Sequence, residues 1–136
     1  MPTNDPLFGV NWTMNKGASK FSSNWTPDFE NRLYEETPSG YKLTVAGAHQ
    51  GKNYSWGYDA KYDGQDHPVH GRADVDAIEA YKVTDRITIG FFKKDGESGG
   101  PYARKLSMDG KTLTVQTVGH RDDGTVYFDV IEYKKP

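Results

Sequence analysis

The chain has 136 residues, enough for one domain and too few for two that each bury a core. Its 17 Lys and Arg stand against 19 Asp and Glu, so the formal net charge of -2 offers no basic excess for nucleic acid or an anionic membrane. Cysteine is absent, which excludes disulfides, thiolate nucleophiles and cysteine-based zinc sites together.

The first five residues hold no basic run followed by an apolar stretch, so no signal peptide is expected. No stretch nears the ~18 apolar residues of a membrane span. The expected location is the cytoplasm, or outside it if a leader has been removed.

Alternation with a period of two dominates the chain in order. Tyr41, Leu43 and Val45 fall on one face, with Lys42 and Thr44 on the other. Tyr54, Trp56, Tyr58 and Ala60 alternate with Ser55, Gly57, Asp59 and Lys61. Ile87, Ile89 and Phe91 alternate with Arg86, Thr88 and Gly90. Leu113, Val115 and Thr117 follow the same rule, and so do Val126, Phe128 and Val130. Such a period means strands with one buried face. Turn signals separate them at Ser39-Gly40, 49–53, Asp63-Gly64, Asp95-Gly96, Asp109-Gly110 and Asp123-Gly124.

Strands are expected over 8–14, 30–37, 41–48, 53–62, 66–69, 76–83, 86–94, 101–108, 112–119 and 125–134. No long amphipathic helix is visible, and 15–28 is the one irregular segment. Consecutive hairpins make a meander, and closure removes its exposed edges. The expected fold is all-β: a single antiparallel meander barrel of about eight to ten strands spanning 1–136.

Several stretches resemble small bacterial lipocalin-like proteins of unassigned function. They are Trp12-Thr13-Met14-Asn15 with Ser19-Lys20-Phe21, Tyr34-Glu35-Glu36, Gly40 to Val45, Tyr62 to Gly71 with Asp76-Ala77-Ile78, Asp109 to Thr114, and Asp129 to Tyr133. The likeness spans nearly the whole chain. It implies a calycin-type barrel around a ligand cavity and carries over no catalytic residue. The chain departs from the pattern at His67 and His70, where an aromatic and a small hydroxyl residue are expected.

Those two histidines are the first candidate catalytic pair, because imidazole exchanges protons near neutral pH. In a regular strand positions i and i+3 face opposite ways, so only a bend at Pro68 or Gly71 brings both into one lumen; otherwise they are solvated loop histidines. With His49 and His120 they show no metal-ligand spacing, so no metal is expected, and no cofactor fingerprint is present.

Tyr54, Trp56 and Tyr58 form a ring stripe that is either barrel core or a wall for a flat ligand. Tyr34 and Phe91 extend that set. Tyr102 and Arg104 share a face with Leu106; if it points inward, Arg104 needs a partner, such as a ligand carboxylate or phenolate. The alternative is a barrel-end ion pair or an outward side chain. Arg32, Tyr34 and Glu36 share another face, most simply a solvated Glu–Arg surface. Trp25 either caps the barrel mouth or anchors its loop.

The expected function is binding of a small apolar or aromatic molecule against Tyr34, Tyr54, Trp56, Tyr58, Phe91 and Tyr102. One alternative is a cofactor-free isomerase, lyase or cyclase using His67, His70 and Arg104. Another is a protein-interaction domain, which an exposed apolar patch on one wall would favour. Nothing in the sequence sets the oligomeric state.

Overall fold

The computed structural model describes residues 6–22, 25–120 and 123–136. Ten strands follow one another: β1 (Asn11–Met14), β2 (Phe29–Thr37), β3 (Gly40–His49), β4 (Lys52–Lys61), β5 (His67–His70), β6 (Ala77–Thr84), β7 (Ile87–Lys94), β8 (Glu97–Leu106), β9 (Thr112–His120) and β10 (Val126–Lys134). Each pairs antiparallel with its sequence neighbours, and β1 pairs with β10, so the meander closes into a barrel.

The turns explain the register. Asp95 and Gly96 both adopt positive φ (52° and 83°), as do Gln50 and Gly51 (50° and 78°). Two consecutive left-handed residues match the twist of the flanking strands in a two-residue hairpin. Around Met14 the first strand breaks into a short 3-10 turn at Lys16–Ala18 and rejoins β10 where Lys20 bridges Val130. Residues 8–10 lie outside β1, and β8 begins four residues earlier than the alternation predicts.

Side chains of alternating residues fill the interior. Trp12, Tyr34, Tyr41, Tyr133, Leu43, Ile78, Leu113 and Val45 are fully buried. The segment before β1 packs onto this core through Leu7, Phe8 and Val10, and the Trp12 indole donates to the Leu7 carbonyl at 3.0 Å. The wall is thinnest at β5. It meets β4 only through Gly57 with His70 and Tyr58 with Val69, and β6 only through His67 with Ile78 and Pro68 with Ala77.

Two expectations about faces are overturned. On β7 the inward set is Thr88, Gly90 and Phe92, and Phe91 points outward with 36% of its surface exposed. The reason lies on the facing strand. A Cβ at position 90 would meet the Glu79 carbonyl and the Tyr102 ring, so the interior there accepts only glycine, and the parity of the whole strand follows. On β2, Arg32 is buried rather than solvated, because Glu30, two residues back on the same face, supplies a buried counter-charge. Glu36, at the end of that face, is exposed.

Candidate functional site

Strand parity brings Tyr34 from β2, Trp56 and Tyr58 from β4, Phe92 from β7, and Tyr102 and Arg104 from β8 around one interior cavity. Arg32, Val115 and Thr117 complete the wall, and Arg72 reaches in from the β5–β6 connection. The cavity holds about 30 Å³, room for a water-sized group. It is ring-lined: Phe92 lies 5.3 Å from Tyr102, 6.1 Å from Trp56 and 6.3 Å from Tyr58, centroid to centroid.

Arg104 is the unusual member. It is 5% exposed. Its Nη2 donates to the Thr88 hydroxyl at 2.8 Å, while Nη1 is buried without a hydrogen-bond partner. No ion pair to it occurs among the described residues. Its guanidinium instead lies 4.6 Å from the ring centres of both Tyr34 and Tyr41. Burial, the largest influence, works against its charge; Tyr41 and the other surrounding tyrosines raise its pKa, but as charges they act only where phenols ionise, so near neutral pH no anion among the described residues stands beside the guanidinium. A buried cation ordinarily has a counter-ion, because desolvation costs several kcal/mol per ion, of order 5.

The other two arginines are neutralised. Arg32 Nε lies 3.2 Å from Glu30 Oε2, and Glu30 also accepts from the hydroxyls of Tyr54, at 2.7 Å, and Tyr133. Arg72 forms a two-point pair with Asp74 at 2.8 and 2.5 Å. Three cations therefore face two carboxylates, and the uncompensated charge sits on Arg104.

The tyrosines form a short polar chain. The Tyr41 hydroxyl is 2.9 Å from that of Tyr58 and 3.5 Å from that of Tyr102. Burial raises the pKa of all three, so they are neutral phenols able to donate.

The sequence-predicted residues distribute as follows. Tyr34, Trp56, Tyr58, Tyr102 and Arg104 meet at the cavity. Tyr54 shares their face but is spent on Glu30, with Trp25 at 5.2 Å. Trp25 also stacks on His49 at 4.4 Å, so it anchors its loop on the start of β4 and the end of β3. Phe91 is on the outer wall, as above, and Phe92 takes the place expected of it. His67 pairs with Asp63, Nε2 to Oδ1 at 2.9 Å, and His70 is exposed on the outside of the β4–β5 seam. Neither lines the cavity: β5 stays a regular strand, so His70 points outward, and His67, on the face of buried Val69, is engaged by Asp63 at the strand's start. Among the described residues no three of His, Asp and Glu converge as a metal-binding set, and no helix is long and apolar enough to cross a membrane.

Arg32, Arg72, Phe92, Val115 and Thr117 were not among the site residues expected from the sequence. The alternation signal could have found Thr117 and Val115, which share the Leu113 face, and Arg32, which shares that of Tyr34. Arg72 lies in an aperiodic stretch with no such signal. Comparison with protein-family models, with curated proteins and with solved structures finds no match.

Proposed function

We propose that the barrel is a lipocalin-like binding module for a small aromatic molecule with an anionic end. The observation that carries this reading is Arg104: a buried guanidinium on the cavity wall whose Nη1 has no partner and whose charge has no carboxylate. A ligand oxyanion supplies both. The phenols of Tyr58 and Tyr102 add neutral donors beside it, and the rings of Trp56 and Phe92 supply a flat apolar surface.

The test is calorimetric titration with 1-naphthoate and its neutral isostere 1-naphthamide. The expected result is saturable binding of the carboxylate, at least about tenfold tighter than the amide, the difference that one charge-assisted hydrogen bond supports. Arg104→Gln abolishes that preference. Equal affinity for the two probes, or no binding of either, overturns the reading.

A second reading, a protein-interaction wall, is favoured by one observation. Tyr81 on β6 and Ile89 on β7 are cross-strand partners on the outer face, each with about two-fifths of its surface exposed, and Phe91 lies beside them. Phe128, paired with Val118, is exposed on the same barrel exterior. Sedimentation velocity of the wild type and a Tyr81→Ser, Ile89→Ser variant tests it: concentration-dependent association lost in the variant supports the reading, and a monomer in both removes self-association from it.

A further inference from the structure

Trp56 carries a cation on its ring that is not fixed there in the way the buried ones are. The Arg72 guanidinium lies 4.7 Å from the Trp56 ring centre and 5.2 Å from that of Phe92. It is a flat, six-electron-delocalised group held against two aromatic rings, the placement a small planar ligand would adopt. Arg32 also lies over Trp56, at 5.4 Å, but it is buried and tied to Glu30, so it is part of the wall.

The attachments of Arg72 differ. Among the described residues its only charge partner is Asp74, two residues on, whose side chain is 62% exposed. The pair can therefore swing outward together without separating charges. The segment that carries it is held at Gly71 and at Val75–Asp76, where Val75 packs against the core, and Arg72 and Asp74 lie between those points. Gly71 has φ +88°, and a side chain there would collide with the Ser55 carbonyl and Trp56 Cα. Asp76 is held by the Val69 amide, which donates to its carbonyl at 3.0 Å, and by its own amide to the Lys93 carbonyl at 2.9 Å. This stretch follows β5, the least-paired strand of the wall. Directly outside the seam lies an open hollow of about 400 Å³ that shares Trp56 and Tyr58 with the interior cavity.

We propose that Arg72 is a displaceable stand-in for the ligand's ring: its guanidinium fills the corner where Trp56 and Phe92 meet edge to face, until a planar aromatic acid takes that place with its carboxylate on Arg104. This rests on the binding reading above and adds the ligand's shape class and the residue that controls access. It accounts for the small size of the cavity. The space for a ring is occupied by a side chain of the protein itself, and about 30 Å³ remains between Arg72, Arg104 and the phenols.

The experiment compares wild type, Arg72→Ala and Asp74→Asn for binding of 1-naphthoate and 1-naphthamide by calorimetry, with association followed by stopped flow. Loss of the stand-in lowers Kd for both probes by about two- to thirtyfold in Arg72→Ala, the span of one partly desolvated cation–ring contact. Asp74→Asn, which leaves the arginine but removes its tether, moves both in the same direction by less. In the wild type the observed association rate levels off with rising probe concentration, because the slot must empty first; in Arg72→Ala it rises linearly. Unchanged affinities in Arg72→Ala overturn the stand-in while leaving the binding reading intact. Weaker naphthoate binding in Arg72→Ala, with naphthamide unaffected, makes Arg72 a direct anion contact and also overturns it. Absence of binding in wild type and both variants overturns the two readings together.

Discussion

Thr88 and Arg104 are cross-strand partners on β7 and β8, and the threonine hydroxyl accepts the Nη2 hydrogen bond at 2.8 Å. A hydroxyl satisfies a donor but does not neutralise a charge. The two ring faces of Tyr34 and Tyr41 return about 0.5–2 kcal/mol each, against a desolvation cost of several. Arg104→Met removes the cost and keeps an unbranched side chain of similar reach. We expect its unfolding free energy in urea to equal that of the wild type or exceed it by up to about 3 kcal/mol. A site kept at the expense of stability is a mark of function. A loss of more than about 2 kcal/mol would mean that ring stacking alone holds the guanidinium in place.

Glu30 makes the opposite prediction. Its carboxylate is buried and accepts from Tyr54, Tyr133 and Arg32 together. Glu30→Gln keeps the shape and leaves Arg32 as a second uncompensated buried cation. The expected loss is about 3–5 kcal/mol by urea denaturation, the cost of removing one partner of a buried pair. The double variant Glu30→Gln, Arg32→Met recovers most of it. If the single variant loses less than about 1 kcal/mol, Arg32 finds solvent and the cluster is not the structural tie described here.

Much of this arrangement was legible in the sequence, and the limits have physical causes. Strand order and turn positions follow from alternation and from Asp-Gly and Gly-bearing turns, both local signals. Counting by two grouped Tyr54, Trp56 and Tyr58 on one face of β4 and Tyr102, Arg104 and Leu106 on one face of β8, but left open whether the β8 set points inward, which the structure decides. The face of β7 did not. Ile87, Ile89 and Phe91 are the more apolar set, yet Thr88, Gly90 and Phe92 turn inward, because Arg104 and the Tyr102 ring already fill that space. That is a property of the neighbouring strand, invisible along β7 itself. Arg32 was read as solvated because charged pairs usually are; its burial depends on Tyr133, about a hundred residues away, sharing Glu30. Arg72 enters the cavity from a connection with no period at all.

The parity of β7 is itself testable. Phe92 touches Trp56, Tyr58 and Tyr102, whereas Phe91 faces outward beside Pro101. Phe92→Ala is expected to cost about 2–4 kcal/mol of unfolding free energy, and Phe91→Ala less than about 1. The reverse order of the two costs would return β7 to the face that the apolar alternation first indicated.

Alkaline pH probes the buried phenols as a group. Burial, the largest cause in each case, raises the pKa of Tyr41, Tyr58, Tyr102 and Tyr133 above tyrosine's ordinary value. In the unfolded chain these groups ionise near pH 10, while in the folded barrel they keep their protons. Below about pH 10 both states are protonated and the term is constant. Above it the unfolded state binds fewer protons, so stability falls as pH rises. Each tyrosine contributes a slope of about 1.4 kcal/mol per pH unit, and the four together about 5 to 6. Urea titrations stepped upward from about pH 8 measure the slope, and phenolate absorbance reports the ionisation. Among the described residues the Tyr102 hydroxyl makes only the long 3.5 Å contact to Tyr41, so Tyr102→Phe is expected to remove about one quarter of the slope at little cost near neutrality. A wild-type stability that stays level well past pH 10 would mean that these hydroxyls ionise in the folded state, and that Arg104 and Arg32 sit beside phenolates rather than phenols.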